Sequence, residues 1–186
     1  MLEFFRDNPH CQRQSRRIYL TGFMACGKSI IGRLLAHKLG YAFFDSDQII
    51  ETRTGKSVAE IFAKDGEDCF RQMEQQTLQK LSLQDRTVIA LGGGVVLNHF
   101  NRQILKRAQW VFLDTPLPVI HQRLVNDTKR PLVQAGTDAL TQLYQTRLWL
   151  YQEAPIHVSC GQKSPLAIVK QLSYRLHQFS SDRIYP

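Results

Sequence analysis

Residues 17–40, which read RIYLTGFMACGKSIIGRLLAHKLG, constrain the fold more than any other stretch of the chain. Residues 18–20 form a short apolar, β-prone run, and residues 22–29 fit the pattern G-x-x-x-x-G-K-[ST] without a mismatch. Apolar residues then recur at helical spacing until Gly40, which is a typical C-terminal stop. A strand, a glycine loop and a helix in this order predict a phosphate-binding loop.

The residue types of this loop suit a nucleotide triphosphate. Gly22 and Gly27 let backbone N–H groups approach phosphate oxygens, and the helix directs its positive end at the same anion. Lys28 can reach the β- and γ-phosphates, and the Ser29 hydroxyl can ligate Mg²⁺. The alternative is a glycine-rich turn that binds nothing; the flanking strand and helix favour nucleotide binding.

Composition and charge bound the class of protein. The chain has 186 residues, 43% of them hydrophobic and 22% charged, which suits a single α/β domain. A net charge of +8 favours anionic partners, but Lys and Arg are scattered rather than clustered. Nucleotide phosphates and an acidic small substrate explain this charge as well as nucleic acid does. Because the basic residues are not clustered, we expect no nucleic-acid partner.

Neither the cysteines nor the apolar residues indicate secretion or membrane insertion. Cys11, Cys26, Cys69 and Cys160 show no CxxC spacing, which predicts reduced thiols in a cytoplasmic protein. The N-terminus lacks the apolar core and cleavage site of a signal peptide, and no apolar run approaches membrane-spanning length. We therefore expect no membrane partner.

Strand and helix patterns alternate along the chain, which predicts a three-layer α/β/α sandwich on a parallel sheet. Further strands are predicted at 41–44, 87–91, 109–113 and 156–158, and helices at 49–53, 57–66, 67–83, 101–107, 116–124, 138–152 and 165–176. We expect a flexible extension over 1–16, one domain over 17–178 and a tail over 179–186. The polar, aperiodic stretch 125–136 is long enough to be a functional lid.

Two motifs follow predicted strands at the edge where such sheets bind ligands. Asp45-Ser46-Asp47 follows the second strand, and we interpret it as an extended segment with one carboxylate facing a metal and the other an acceptor. The alternative is that one aspartate caps the next helix. Gly92-Gly93-Gly94 follows the strand at 87–91 and indicates close backbone approach to a ligand or, alternatively, a tight turn. Asp114, before Thr115-Pro116, is better explained as a helix cap.

Three arginines are candidates for anion binding. Arg71 and Arg147 lie in the middle of predicted helices near apolar faces, where each either holds a substrate carboxylate or forms a structural ion pair. Arg130, in the aperiodic loop, is a candidate lid arginine that closes on the γ-phosphate, with a solvated loop charge as the alternative.

Read in order, six segments of the chain resemble the shikimate kinase family. They are GFMACGKSIIGRLLAHKLG, FFDSDQIIE, TGKSVAEIFAKDGEDCFRQME, VIALGGGVVL, KRPLV and RLWLYQEA. The resemblance covers about residues 18–158 and implies a P-loop NTPase of the nucleoside-monophosphate-kinase-like type with a five-stranded parallel sheet. It also implies ATP- and Mg²⁺-dependent phosphorylation of the 3-hydroxyl of shikimate, on the route to chorismate and the aromatic amino acids, by a monomer.

The resemblance implies a role for each matching residue. Ser29 and Asp45 attend one Mg²⁺ ion, Asp45 through water, and Asp47 binds the shikimate hydroxyls and accepts the proton. The implied nucleotide-binding residues are Gly22, Cys26, Gly27, Lys28, Ser29, Ile30, Arg123 beside the adenine, and Arg130 from the lid. The implied shikimate-binding residues are Asp47, Arg71, Gly92, Gly93, Gly94 and Arg147, with both arginines on the carboxylate. Lys28, Asp47 and Arg130 form the implied catalytic set.

Two departures from the family pattern lie close to these residues. Ile30 stands where a second hydroxyl residue is usual, although Ser29 keeps the metal role. Trp149 stands where proline is usual, which bears on the packing that orients Arg147. The alternative functions are a related gluconate or nucleotide kinase and a non-catalytic nucleotide-binding interaction module.

Overall fold

The core of the protein is one parallel sheet that places the N-terminal phosphate-loop strand at its centre. The computed structural model describes residues 16–125 and 137–182. The sheet has five strands in the order β2-β3-β1-β4-β5, and every pairing is parallel. The strands are β1 (Arg17–Thr21), β2 (Ala42–Asp45), β3 (Thr87–Ala90), β4 (Gln109–Asp114) and β5 (Ile156–Ser159).

Helices connect the strands and cover both faces of the sheet. They are α1 (Lys28–Leu39), α2 (Ser46–Thr54), α3 (Val58–Lys64), α4 (Glu67–Leu81), α5 (His99–Leu105), α6 (Leu117–Val125), α7 (Thr137–Tyr151) and α8 (Pro165–Asp182). A short 3-10 turn, Val95–Leu97, lies between β3 and α5. The predicted three-layer architecture is confirmed.

Local sequence signals define several helix ends. The predicted capping box before α3 is present, because Ser57 and Glu60 bond to each other's backbone N–H groups. Gly40 and Gly55 end α1 and α2 in the left-handed conformation, with φ of 65° and 67°. Asn98 caps α5, which therefore begins at His99 rather than at the predicted residue 101.

Two hydrophobic layers, one on each face, hold the helices to the sheet. Alternate strand residues point to opposite faces, so Tyr19 and Ile89 pack on one side while Ile18 and Val88 pack on the other. The first layer receives residues of α4 and α7, and the second receives residues of α1 and α8. Both faces are covered, as the uninterrupted apolar pattern of a parallel strand requires.

The structure changes some predicted boundaries and leaves others untested. Helix α8 continues to Asp182 instead of ending near Leu176. The predicted extension lies almost wholly outside the described residues, and so does nearly all of the predicted lid, including Arg130. Within 16–125 and 137–182, none of the helices combines the length and apolarity needed to cross a membrane.

Candidate active site

The loop after β1 wraps around the start of α1, as its glycine pattern predicts. Gly22 and Gly27 have φ of 145° and 100°, values that L side chains rarely adopt. The Lys28 ammonium donates hydrogen bonds to the carbonyls of Gly22 at 2.8 Å and Phe23 at 2.9 Å. The lysine is therefore held against its own loop. Cys26 is buried with its Sγ 3.7 Å from the same ammonium, and Ile30 is exposed.

The Ser29 hydroxyl and the Asp45 carboxylate are in direct contact, which brings the two predicted metal-site residues together. Ser29 Oγ donates to Asp45 Oδ2 at 2.6 Å. Asp45 Oδ1 also accepts from the backbone N–H groups of Asp47 and Gln48, so Asp45 caps α2 as the alternative interpretation held. The cap and the contact with Ser29 use different oxygens and are compatible.

The prediction that the Asp45–Asp47 segment is extended is wrong. Strand β2 ends at Asp45 and α2 begins at Ser46, because Asp45 bonds to the first free N–H groups of that helix. Asp47 therefore lies in the first helical turn, and its carboxylate faces Gly92. Ser46 is buried and accepts a hydrogen bond from the Gly92 N–H at 2.9 Å, which ties this turn to the loop after β3.

Arg71 is held by two carboxylates of its own helix. Its Nε and Nη2 donate to Oε1 of Glu67 at 3.1 and 2.8 Å, and its Nη1 donates to Oε2 of Glu74 at 2.8 Å. Glu67 is 56% exposed, whereas Glu74 is 1% exposed. The structural ion pair considered for Arg71 therefore exists, and it orients the guanidinium toward the triple-glycine loop.

Glu74 is a buried carboxylate with an unpaired oxygen. Its Oε1 has no hydrogen-bond partner among the described residues, and this oxygen points at Gly92 near Asp47 Oδ1. The pKa of Glu74 is raised to about 7, chiefly by burial and to a smaller extent by the Asp47 charge, while Arg71 and Arg147 oppose the rise. The site thus contains a carboxyl group that changes charge near neutral pH.

Arg147 approaches the same loop from α7. It is 9% exposed, its Nε has no hydrogen-bond partner in the part of the chain that the structure describes, and its Nη1 would lie 3.7 Å from a Cβ placed on Gly93. The hydroxyl of Tyr151, one helical turn later, donates to the Gly93 carbonyl and faces the Arg147 guanidinium. Two arginines from separate helices therefore converge on one loop.

The triple glycine is explained by what each residue faces. A Cβ on Gly92 would overlap Glu74 and lie 2.6 Å from Asp47 Oδ1, and a Cβ on Gly94 would overlap the Arg71 guanidinium. A Cβ on Gly93 would be 3.5 Å from the Tyr151 hydroxyl and 3.8 Å from the Gly22 carbonyl. The loop also turns tightly, since the Val95 N–H donates to the Gly92 carbonyl. The two alternatives considered for the triple glycine, close approach of other groups to the backbone and a tight turn, are therefore both present.

Helix α6 contacts the phosphate loop through Arg123. Its Nη1 donates to the Ala25 carbonyl at 2.9 Å, which places this predicted adenine-side residue beside the loop. Ala25 has φ of 58°, the left-handed region that favours glycine.

Three residues of the site were not singled out in the sequence. Glu67 and Glu74 lie four residues before and three residues after Arg71, the spacing of ion pairs on a helix, so charge periodicity could have identified them. Tyr151 lies four residues after Arg147 on a helix, but nothing in the sequence shows that its hydroxyl reaches a loop on another element.

The described residues contain no group of three or more His, Cys, Asp or Glu side chains that could hold a metal ion on their own. The adjoining Ser29 hydroxyl and Asp45 carboxylate supply hard oxygen donors of the kind that Mg²⁺ accepts when substrate phosphates complete its shell. The donor set fits a magnesium ion bound together with a nucleotide.

Comparison with known proteins agrees with this geometry. The shikimate kinase family profile matches residues 24–177. The shikimate kinase of Persephonella marina is 37% identical over 162 residues, which cover 87% of this chain and 99% of that protein. The structure of the Acinetobacter baumannii shikimate kinase in complex with shikimate has a TM-score of 0.83 and 36% identity, over 91% of this chain and 95% of that one.

A more distant likeness separates fold from family. A gluconokinase from Sinorhizobium meliloti has a TM-score of 0.61 and 18% identity, over 93% of this chain and 98% of that one. At this identity the likeness concerns the fold alone. The family profile and the relatives above 30% identity show more than the fold: the chain is a member of the shikimate kinase family.

Proposed function

We propose that this protein transfers the γ-phosphoryl group of ATP to the 3-hydroxyl of shikimate, giving shikimate 3-phosphate and ADP on the route to chorismate. The observation that carries the proposal is the convergence of Arg71, Arg147 and Asp47 on the triple-glycine loop, next to the phosphate loop. Two guanidinium groups suit one carboxylate, and an adjacent carboxylate suits hydroxyl groups. Shikimate carries both kinds of group.

On the acceptor side, Arg71 and Arg147 bind the shikimate carboxylate, and Asp47 binds ring hydroxyls. The oxygen of the shikimate 3-hydroxyl attacks the γ-phosphorus of ATP while Asp47 accepts the hydroxyl proton. The bond between the γ-phosphorus and the β-phosphate oxygen breaks, and ADP leaves. Gly92 leaves room for the carboxylates of Glu74 and Asp47, and Gly94 leaves room for the Arg71 guanidinium, because a Cβ at either position would overlap these groups. Gly93 borders the same pocket beside Arg147.

On the donor side, the loop amides and Lys28 hold the ATP phosphates. Lys28 must exchange the carbonyls of Gly22 and Phe23 for phosphate oxygens when ATP binds. Ser29 would hold Mg²⁺ directly and Asp45 through water, and the ion would neutralise developing phosphate charge. Arg123 lies beside the adenine, and Arg130 contacts phosphate from the lid at 125–136.

The remaining expectations form part of the same proposal. Residues 17–178 act as one kinase domain between the terminal segments 1–16 and 179–186. We also propose that the protein works as a monomer without a nucleic-acid or membrane partner. We further propose a cytoplasmic location, which the free cysteines Cys26, Cys69 and Cys160 of the described residues support. Size-exclusion chromatography and cell fractionation test these points.

The deciding experiment is a coupled ADP-release assay with a substrate panel. We expect turnover with shikimate, ATP and Mg²⁺, and none with gluconate or nucleoside monophosphates. Chelation of the metal should stop turnover, and added Mg²⁺ should restore it. Absence of turnover with shikimate, or preference for another acceptor, would overturn the proposal. ATP binding without turnover of any acceptor would favour the interaction module.

A further inference from the structure

We propose that Tyr151 is a positioning residue that sets the geometry of the shikimate carboxylate site by joining the Arg147 side chain to the Gly93 backbone. The inference rests on the proposed function, in which Arg147 binds the substrate carboxylate. It adds a residue with no substrate contact of its own to the determinants of substrate affinity.

The environment of Tyr151 is unusually well defined. The residue is fully buried, and its ring stacks on Phe112 of β4 with centroids 5.4 Å apart and an interplanar angle of 13°. The stacked ring fixes where the hydroxyl can point. That hydroxyl donates to the Gly93 carbonyl, so it connects α7 to the loop after β3.

Arg147 has few polar contacts other than this hydroxyl among the described residues. The Tyr151 hydroxyl and Arg147 Nη1 lie 3.5 and 3.7 Å from the same point, the position of a Cβ on Gly93. The lone pairs of the hydroxyl oxygen are available to the guanidinium, since its own proton goes to Gly93. Arg147 Nε is buried without a hydrogen-bond partner, and no carboxylate within 16–125 and 137–182 forms an ion pair with Arg147. Arg71, by contrast, is held by two carboxylates. The two arginines are therefore positioned by different means.

Trp149 does not lie on the buried side of α7 that carries Arg147. It is 60% exposed, so the side chain that replaces the proline of the family pattern packs mainly toward solvent. Tyr151 is instead on the buried side of the same helix, and its hydroxyl and the Arg147 guanidinium both lie next to Gly93.

Loss of the hydroxyl should act on binding rather than on chemistry. Tyr151→Phe keeps the aromatic ring against Phe112 but leaves the Gly93 carbonyl and the Arg147 guanidinium without a shared partner. The carboxylate is remote from the reacting hydroxyl, so its contacts contribute equally to the ground and transition states. We expect a five- to twentyfold rise in the KM for shikimate, with kcat and the KM for ATP within about twofold.

The test is a double-mutant cycle with Arg147→Lys, which keeps the charge but loses the planar fork. If Tyr151 acts through Arg147, adding Tyr151→Phe to Arg147→Lys should raise the KM for shikimate by less than about twofold. Calorimetric shikimate affinities should follow the same pattern. Tyr19→Phe removes another fully buried tyrosine hydroxyl, on β1, and should leave the KM for shikimate unchanged.

Each outcome separates this inference from the proposed function. If the parent protein does not phosphorylate shikimate, the proposed function fails. If it does, but Tyr151→Phe leaves the KM unchanged or raises it equally in both backgrounds, the positioning role is wrong. Equal effects of Tyr151→Phe and Tyr19→Phe would also overturn it, because they would indicate only a general loss of core stability. Tyr151→Phe should fold, because the ring keeps its packing against Phe112 and one hydrogen bond is a small part of the stability of a domain.

Discussion

The two halves of the site are built in opposite ways. The donor half is one uninterrupted stretch, residues 22–29, and it works through backbone groups, one lysine and one hydroxyl. The acceptor half is assembled from α2, α4, the loop after β3 and α7, and it works through charged side chains that are partly or fully buried. Only a few ångströms separate them where Gly22 meets Gly93.

This difference determines how each half responds to change. Backbone donors survive side-chain substitution, which explains how the donor loop carries Met24, Ala25 and Cys26 between its glycines. Buried charges on the acceptor side depend on partners, because removing one partner leaves the other desolvated. We therefore expect acceptor-side substitutions to affect shikimate far more than ATP, and the following predictions probe that asymmetry.

The largest effect is expected for Asp47→Asn. The amide keeps the size of the side chain but cannot accept the proton of the attacking hydroxyl, so kcat should fall about 10²–10⁴-fold. ATP affinity, measured by calorimetry, should stay within about twofold because the donor loop is intact. A comparable loss of ATP affinity would show that the two halves are not separable. An unchanged kcat would remove Asp47 from its proposed role.

The next largest effect is expected for Gly94→Ala compared with Gly93→Ala. A Cβ at Gly94 overlaps the Arg71 guanidinium, so we expect at least a tenfold rise in the KM for shikimate and a loss of about 1–3 kcal/mol of unfolding free energy. A Cβ at Gly93 meets only ordinary contacts at 3.5 Å and beyond. Denaturant titration of both variants should therefore show clear destabilisation in Gly94→Ala alone, and equal losses would contradict the packing argument.

A smaller, severalfold change in the KM for shikimate is expected when the pH is varied. The pKa of Glu74 is raised to about 7, and the charges that act on it are Arg71 of its own helix, Asp47 and Arg147. Ionised Glu74 competes with the substrate carboxylate for Arg71. The KM for shikimate should therefore rise between about pH 6 and pH 8, and Glu74→Gln should flatten that rise.

The raised pKa of Glu74 also makes the free energy of unfolding depend on pH. Folded Glu74 holds its proton to higher pH than an unfolded glutamate, so this group favours the folded state at low pH. That contribution is lost as the pH rises from about 4.5 to about 7. Unfolding free energies of the parent protein and Glu74→Gln should diverge over this interval, and parallel curves would show that Glu74 does not titrate there.

The smallest effect is expected for Ala25→Gly in the donor loop. Its φ of 58° is costly for alanine, whereas glycine adopts it freely. Glycine also makes the unfolded chain more flexible, so we expect a net gain below about 1 kcal/mol in unfolding free energy and little change in the KM for ATP. Ala63→Gly, at an exposed helical position of α3, is the matched control and should lose about 1 kcal/mol.

Much of the fold could be predicted because its signals are local. Apolar strand patterns, the capping box of α3 and the terminal glycines of α1 and α2 each act within a few residues. The errors have equally local causes: Asp45 caps α2 and so converts the predicted extended segment into a helix, and Asn98 starts α5 early. Family resemblance, more than spacing, identified Arg71 and Arg147 as a pair.

The sequence by itself determined the donor site of this protein, because strand, glycine loop, lysine and serine are contiguous and their geometry follows from local backbone conformation. The tertiary structure alone decided how the acceptor site is held. Glu74 acquires its raised pKa only when burial removes water, and Tyr151 reaches Gly93 only because α7 packs against the sheet. Desolvation and long-range contact are properties of the folded chain, so no local pattern could state them.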